Sequence, residues 1–518
     1  MVSLIATTVT VLLIHNIGFT SSARILAIMP TPSYSHQIVY HSIFRNLNLR
    51  GHHITLVTTD LLPDRNLKNF TQIDISHTYQ LKKSLNFLET RHEYSWLEII
   101  GVMLLEITEK LCILTFEHPD FKKIYAPDSY EKFDLVMVEI IWTPAFSALG
   151  HRFKAPLIGV TSSGLLQQNH FIMGNPVIPS HPSSYELNIG IGLNVPFWKR
   201  VQNFVLTWWY IHVTCNNKLY KPQQKIAEKY LGNIPSIREL EKNISIIFMN
   251  YQEEISFTRP NMANIINFSG LHIASNASNK PLPKGLKEFI DNGSNGFIYV
   301  SLGTNVHSSM FPKKLMDIFL NVFSNLPIKV VWKFKGNFLK IPENIYIAEW
   351  FPQQAILAHP NLKLFVYQGG LQSTEEAIHF GVPLVGIPII ADQDMQVIKM
   401  ESLGTCRSVD ILQITRESLN EAIMDTLNNK SYKENMLKLK NLTKDKPYNS
   451  MERIIWWTEY VIRHKGAPHL RSSIVDEPWY QRYNTDVIAF LSVTLFTIVL
   501  LNLYLTDKTT KRKRDISR

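Results

Sequence analysis

Ser35-His36 closes a stretch from Pro30 to His36, between an apolar run, Arg24–Met29, and a helical pattern beginning at Ile38. An imidazole with the ordinary pKa of about 6.5 can take a proton from a hydroxyl at neutral pH, although a histidine beside a helix start is more often structural. A second chemical stretch is Gly369-Gly370, between the apolar run Leu364–Tyr367 and a helical segment holding Ser373, Glu375 and Glu376. Two glycines let the chain turn tightly, and the free N–H groups of the following helix point at whatever sits before them. An anion such as a diphosphate suits that place, with the Ser373 hydroxyl as a further donor. Alone, such a pair would be an ordinary strand-turn-helix. No Asp-x-Asp pair or His/Cys cluster points to a required metal ion. Cys112, Cys215 and Cys406 form no metal-binding cluster, and three cysteines cannot all pair within one chain.

Both stretches need strands to hold them. Arg24–Met29, a helix Ile38–Leu49 stopped by Gly51, and a strand His53–Thr58 make a β-α-β unit, which predicts a parallel sheet. Asp134–Val138 and Pro156–Val160 read as further strands. Between 269 and 296, Asn, Ser, Gly and Pro accumulate, as expected of a linker. Beyond it, Phe297–Leu302, Val330–Phe334, Leu364–Tyr367 and Leu384–Ile387 alternate with helical segments. The pattern predicts two open α/β domains, 24–268 and 297–465, facing one another. Ligands bind beyond the carboxyl ends of strands in such sheets, and a cleft between domains lets two substrates meet. The region 165–215 is aromatic and irregular, with Trp198, Phe204, Trp208 and Trp209. Those rings read as core, as membrane-surface contacts or as the wall of a lipophilic site.

The longest motif starts at Trp350-Phe351-Pro352-Gln353, passes His359-Pro360, and continues as KLFVYQGGLQSTEEAIHFGVPLVGIPIIADQ, ending at Gln393. It resembles the C-terminal motif of the UDP-glycosyltransferase family, which begins Trp-x-Pro-Gln, turns at Gly-Gly and closes on Gly-Val-Pro and Asp-Gln. The layout of the whole chain is similar to that of the insect membrane-bound members. The resemblance implies two facing Rossmann-like domains of GT-B type, with a UDP-sugar as co-substrate and no tightly bound cofactor. It assigns Trp350 to stack on uracil, Glu376 to bind the ribose hydroxyls and Gln353 to lie near base or ribose. Ser301, Gly303 and Thr304 would approach the phosphates with Gly370 and Ser373, and Asp392 and Gln393 would grip the donor sugar. Where many members have His before Gly-Gly, this chain has Gln368, whose amide can donate to phosphate but is never cationic. Gln396 likewise replaces a common Asn.

The resemblance also makes His36 the catalytic base. A carboxylate on its other nitrogen would orient the imidazole and stabilise the imidazolium. The family's Asp lies after the strand that reads here Phe133–Val138, and the matching residue is Glu139, one methylene longer. Asp134 competes but precedes the strand, so it should sit at the wrong end. The implied reaction is an inverting displacement that moves a hexose onto a hydroxyl of a small lipophilic acceptor. UDP-glucose is the favoured donor, with UDP-glucuronate as the alternative and an inactive membrane-bound binding protein as the distant one.

The ends of the chain point to a membrane. Residues 1–23 read as a signal peptide, with an apolar core and Ser21-Ser22-Ala23 as cleavage site. Residues 466–486 form a membrane-proximal segment, and Val487 to Leu505 is an uncharged run of 19 residues, enough to nearly span a bilayer at about 1.5 Å per residue. Trp479, Tyr480 and Tyr483 precede it. Residues 506–518 hold six Lys or Arg against two Asp, so that tail is expected in the cytosol and the folded part in the lumen of the endoplasmic reticulum. Much of the net charge of +10 is thus confined to the tail, which argues against nucleic acid as a partner. Asn-x-Ser/Thr triplets, among them those at Asn69, Asn243, Asn267, Asn276, Asn292 and Asn441, suit a lumenal glycoprotein. A role in detoxification follows only from the resemblance, and assembly into a homo-oligomer is left open.

Overall fold

The computed structural model describes residues 22–516 apart from 65, 83–85, 94–98, 180–185, 187–194, 275, 278–279, 293–294, 305–309 and 337–339. All but the last two residues of the expected signal peptide therefore lie outside the described residues. The chain forms two units, Met1–Arg471 and Ser472–Arg518.

The first unit is built on two all-parallel sheets. In the first, β1 (Arg24–Met29), β2 (His53–Thr58), β3 (Phe70–Asp74), β4 (Leu135–Glu139), β5 (Leu157–Thr161), β6 (Ile246–Asn250) and β7 (Ile265–Phe268) are ordered β3-β2-β1-β4-β5-β6-β7. In the second, β8 (Phe297–Ser301), β9 (Lys329–Lys333), β10 (Ile345–Ala348), β11 (Leu362–Tyr367), β12 (Leu384–Gly386) and β13 (Cys406–Ser408) are ordered β10-β9-β8-β11-β12-β13. Central strands such as IIFMN and FIYVS are buried at every position, as strands covered on both faces must be. The two-domain α/β architecture expected from the sequence is therefore present. The short marginal strands β3, β7, β10 and β13 were not expected, since three to five residues carry little pattern, and neither was the buried β6.

Each sheet reverses its winding at one point, between β1 and β4 in the first and between β8 and β11 in the second. Ile28 pairs with Val138 across the first switch, and Tyr367 pairs with Ser301 across the second. A crevice opens beyond the strand ends at each. His36 and Glu139 stand at the first crevice, Ser301 and Gln368 at the second.

The helix after β1 runs Tyr34–Leu49, four residues longer than its apolar pattern suggested. Ser33 is extended at φ −148, and its carbonyl accepts from the N–H groups of His36 and Gln37. His36 thus belongs to the first helical turn and not to the preceding loop. Polar residues fill that turn, which hid it from the hydrophobic period. The buried Gln37 amide donates to the carbonyls of Met29 (2.9 Å) and Thr31 (2.8 Å), tying the helix to the strand end.

The helix Ser450–His464 returns to the first sheet, where Ile454, Ile455 and Val461 pack with Ile25, Val39 and Leu56. Residues 297–465, drawn as one span in the sequence, therefore serve both cores. In the second unit, a helix runs Thr485–Ile516, and its stretch Thr485–Lys513 is the one candidate membrane span among the described residues. It continues past Leu505 into the basic tail.

Candidate active site

Glu139 is the last residue of β4 and is buried. Its Oε2 accepts from the Thr31 N–H at 3.0 Å, and its Oε1 accepts from the Tyr40 hydroxyl at 2.8 Å. Burial, and then the adjacent carboxylate, push the Tyr40 hydroxyl well above its usual pKa, so it stays protonated and donating. His36 brings Nδ1 to 3.6 Å from Glu139 Oε1. That is ion-pair range, beyond the roughly 3.2 Å of an N–H···O hydrogen bond. The extra methylene of Glu139 is thus taken up by two donors of its own domain. Asp134 accepts from the Arg24 N–H at the opposite end of the sheet, 2.8 Å away, and takes no part here.

The second crevice is a cavity of about 410 Å³, within the size usual for a small-ligand site. Among the residues lining it are Gly303, Thr304, Trp350, Gln353, Gln368, Gly370, Ser373 and Glu376. Ser301, buried at the end of β8, stands beside it with an unpartnered Oγ. Gly303 has φ +84, and a Cβ there would meet the Gln368 amide nitrogen at 2.0 Å. That turn therefore admits only glycine while Gln368 lies across it. The two glycines after β11 differ. Gly369, at φ +89, would press a Cβ into Val397 and the Gln393 carbonyl, at 2.7 and 2.8 Å. Gly370 has φ −65 and caps helix Leu371–Phe380 with only the Gln368 amide within 4 Å of a virtual Cβ. Gly369 makes the turn, while Gly370 keeps the helix N-terminus open.

Glu376 is already held. Gln353 donates to its Oε2 at 2.7 Å and Gln354 to its Oε1 at 2.8 Å, while Gln353 also donates to Ser373 Oγ at 3.0 Å. Buried His272 stands between two carboxylates, its Nε2 3.6 Å from Glu376 and its Nδ1 3.6 Å from Glu375. Trp350 is 55% exposed, its ring edge against Tyr34 at 5.3 Å between centroids and its face under the Lys333 ammonium at 4.3 Å. Burial lowers Lys333 to about 8.

Asp392 and Gln393 lie outside that cavity. Asp392 precedes helix Gln393–Ser402 and lines a neighbouring pocket of about 60 Å³. Burial raises its carboxyl to about 6, partly offset by the charge of the nearby His36. Gln393 Oε1 accepts from the N–H groups of Ile389 and Ile390 at 2.8 and 2.9 Å, leaving its NH₂ for a ligand. The next residue, Asp394, receives a bidentate pair from Arg91 at 2.9 and 2.8 Å, across from the short helix Phe87–Glu93. No group of three His, Cys, Asp or Glu among the described residues could hold a metal.

The sequence reading missed Tyr34, Lys333, His272, Gln354 and Arg91. Lys333 could have been found, because it ends β9 beside β8, where a parallel sheet places its ligands. The Arg91–Asp394 pair, 303 residues apart, leaves no local pattern.

Residues 24–514 match the family model described as UDP-glucoronosyl and UDP-glucosyl transferase. UDP-glucosyltransferase 2 of Dactylopius coccus is 30% identical over 94% of this chain and 93% of its own length. UDP-glucuronosyltransferase 2C1 of Oryctolagus cuniculus is 28% identical over 90% and 95%. Among solved structures, Os79 from O. sativa, in complex with U2F and trichothecene, superposes with a TM-score of 0.55 at 16% identity, covering 84% of this chain and all of that one. That likeness speaks for the fold alone, but the family match spans both sheets and every motif residue above. The chain belongs to the UDP-glucuronosyl and UDP-glucosyl transferase family and is a UDP-sugar-dependent glycosyltransferase acting on small acceptors.

Proposed function

We propose that this enzyme transfers glucose from UDP-glucose, with inversion at C1, to a hydroxyl of a small lipophilic acceptor. The reading is carried by one observation: His36, paired with Glu139 on the first sheet, also lies close enough to Asp392 of the second for their charges to interact. That proximity supports a base and a sugar-holding carboxylate working on one sugar, as a direct displacement needs. His36 takes the acceptor proton on its free nitrogen while the acceptor oxygen bonds to C1. The bond from C1 to the phosphate oxygen breaks, and UDP leaves with that electron pair. Glu139 offsets the positive charge that forms on the imidazole. The N–H groups at Gly370 and the start of its helix, with the hydroxyls of Ser301, Thr304 and Ser373 and the Gln368 amide, meet the charge on the departing diphosphate. Trp350 holds the base, Gln353 and Glu376 the ribose, and Asp392 and Gln393 the sugar.

Glucose as donor draws support from the Dactylopius coccus relative, whose name is UDP-glucosyltransferase 2, and from an ecdysteroid UDP-glucosyltransferase of Spodoptera littoralis nuclear polyhedrosis virus, 29% identical. The apolar helix Thr485–Ile516 and its basic end support a single-pass type I protein in the endoplasmic reticulum membrane, with its catalytic unit lumenal, while a role in detoxification rests on the family resemblance alone. The test is turnover of UDP-glucose against UDP-glucuronate on a panel of phenols and sterols, with the anomer of the product read by NMR. A β-glucoside is expected. An α-glucoside would sink the displacement, and turnover with UDP-glucuronate alone would replace the donor.

A further inference from the structure

Strands β3, β2, β1 and β4 lie side by side and parallel, so their carboxyl ends form one edge. His36 follows β1 and Glu139 ends β4. Along the same edge stand Asp60, just beyond β2, and the 3₁₀ helix Ser76–Lys82, which follows β3. Side chains three residues apart eclipse in a 3₁₀ helix, which puts Tyr79 and Lys82 on one face. The Tyr79 hydroxyl donates to Asp60 Oδ2 at 2.7 Å, where the Thr59 hydroxyl also donates at 2.9 Å, and so turns that face toward the crevice. Lys82 is part-buried, and the charges of both Glu139 and Asp60 reach its ammonium. It closes on neither: Lys82 has no ion pair and no hydrogen bond among the described residues. Both Glu139 oxygens are taken by the Thr31 N–H and the Tyr40 hydroxyl, while the contacts to Asp60 fall on Oδ2 and leave Oδ1 open. A lysine kept only to balance charge would settle against one of the carboxylates, because the attraction grows as the separation falls. Burial lowers the Lys82 ammonium to about 8, against the pull of the two carboxylates, so it is still charged at neutral pH.

We propose that Lys82 and Asp60 form a polar subsite for the acceptor, holding a second hydroxyl while His36 takes the proton of the first. The ammonium donates to the oxygen of that second hydroxyl, and Asp60 Oδ1 accepts its hydrogen. A hydroxyl is both donor and acceptor, so it satisfies the two groups at once. A carboxylate would meet one cation among two carboxylates and is disfavoured there. The substrate class is therefore a small apolar body carrying two hydroxyls, such as a dihydric phenol. Lys82 and Asp60 choose the acceptor and decide which of its hydroxyls is presented to the base. The inference rests on the reading of His36 as that base.

Acceptor competition on the full-length chain tests it, with phenol, catechol, resorcinol, hydroquinone and salicylate as acceptors and both UDP-glucose and UDP-glucuronate offered as donors. Lys82→Met removes the ammonium and keeps the stem, Lys82→Arg keeps the charge, and Asp60→Ala removes the carboxylate. UDP-dependent thermal stabilisation identifies the folded variants. The wild type should favour at least one dihydric phenol over phenol in kcat/KM, mainly through KM. Lys82→Met and Asp60→Ala should each lower that preference about tenfold, the worth of a hydrogen bond to a charged partner, while Lys82→Arg should keep most of it. The readout is a ratio between acceptors on one protein, so a general loss of fold or of donor binding cancels. A preference absent from the wild type, or unchanged in either folded loss variant, would overturn the subsite. A preference for salicylate over every dihydric phenol, lost in Lys82→Met, would also overturn it and leave an anion site in its place. If His36→Ala shows equal small losses for all acceptors while Lys82→Met still loses the preference, the subsite stands and the base is another group.

Discussion

At the end of β11, Glu376 has both oxygens occupied before any ligand arrives, by Gln353 and Gln354, with His272 and Glu375 packed behind it. At the end of β4, Glu139 is also fully occupied, by Tyr40 and Thr31, yet the base it serves stands 3.6 Å off with a buried Nδ1 that makes no hydrogen bond. One carboxylate is locked into the surface proposed to meet the constant nucleotide; the other is locked while its imidazole stays loose. The difference follows from what each side must do. A nucleotide presents the same ribose and diphosphate every time, so its partners gain from being fixed in advance. Acceptors differ in shape, and an imidazole that tightens only when a hydroxyl arrives can serve several of them.

The sharpest way to break this contrast is to remove the loose partner. His36→Ala should lower transfer to aliphatic alcohols by about 10²–10⁴-fold, the usual worth of a positioned base. UDP affinity, which depends on the other sheet, should hold. An acceptor already acidic, such as a nitrophenol, should lose much less. Glu139→Gln should show a milder loss, since its amide could keep the imidazole in place but not balance its charge. Rates over acceptors of graded pKa, with UDP binding by calorimetry, measure this. Equal small losses for all acceptors would hand the proton to another group.

On the donor side, Glu376→Ala should weaken UDP binding by about 10- to 150-fold, from hydrogen bonds to a charged partner worth roughly 1.5–3 kcal/mol. It also strands the Gln353 and Gln354 amides, so Glu376→Gln should fail nearly as badly: an amide offers one accepting oxygen, and its NH₂ would face a second donor. Affinity for UDP measured by calorimetry on folded variants decides it, and an unchanged value would move the ribose contact elsewhere.

The contrast also explains what could be read without coordinates. Gly369, Ser373 and Glu376 are close in sequence because a strand, a turn and a helix N-terminus deliver them together, so a local motif carries them. His36, after the first strand, and Glu139, at the end of β4, were picked out through the family resemblance, while the helix start at Tyr34 was not legible, since its first turn lacks apolar residues. What stayed hidden is held by distant partners. Lys333 reaches the Trp350 face from β9, His272 comes from the linker, and Arg91 crosses 303 residues to Asp394.

That last pair offers a smaller test. Arg91 and Asp394 are mostly buried, and Asp394 adjoins the residues proposed to grip the sugar. Arg91→Ala should raise the KM for the UDP-sugar about tenfold, equivalent to ~1.4 kcal/mol, with UDP itself bound as before. A fall in UDP affinity of the same size would reduce the pair to a general fastening of the two sheets.

The smallest effect on donor capture concerns Asp392, which lies outside the donor cavity and near His36. Its carboxyl titrates near 6 in the folded protein because burial disfavours the charge, and the His36 imidazole only partly restores it. A carboxyl raised in the fold binds more protons there than in the unfolded chain between about pH 4 and 6. Its contribution to stability is therefore present at acid pH and is lost as pH rises through that window. Asp392→Asn should accordingly leave the free protein more stable at pH 7, by at most about 3 kcal/mol for a shift of roughly two pH units. Catalysis should run the other way. The ionised carboxylate is the form that can accept from two sugar hydroxyls, so donor capture by the wild type should rise a few-fold from pH 5 to 7 and level off. The asparagine variant should lose that pH dependence of UDP-sugar binding while keeping UDP affinity. The measurement pairs thermal denaturation across pH 4–8 with calorimetric affinity for the UDP-sugar, set against that for UDP, over the same range, because protonation of the base would shape a rate profile in both proteins. A variant less stable at pH 7, with the pH dependence of its UDP-sugar binding intact, would mean that Asp392 is held for the sake of the fold and that the sugar is gripped by Gln393 alone.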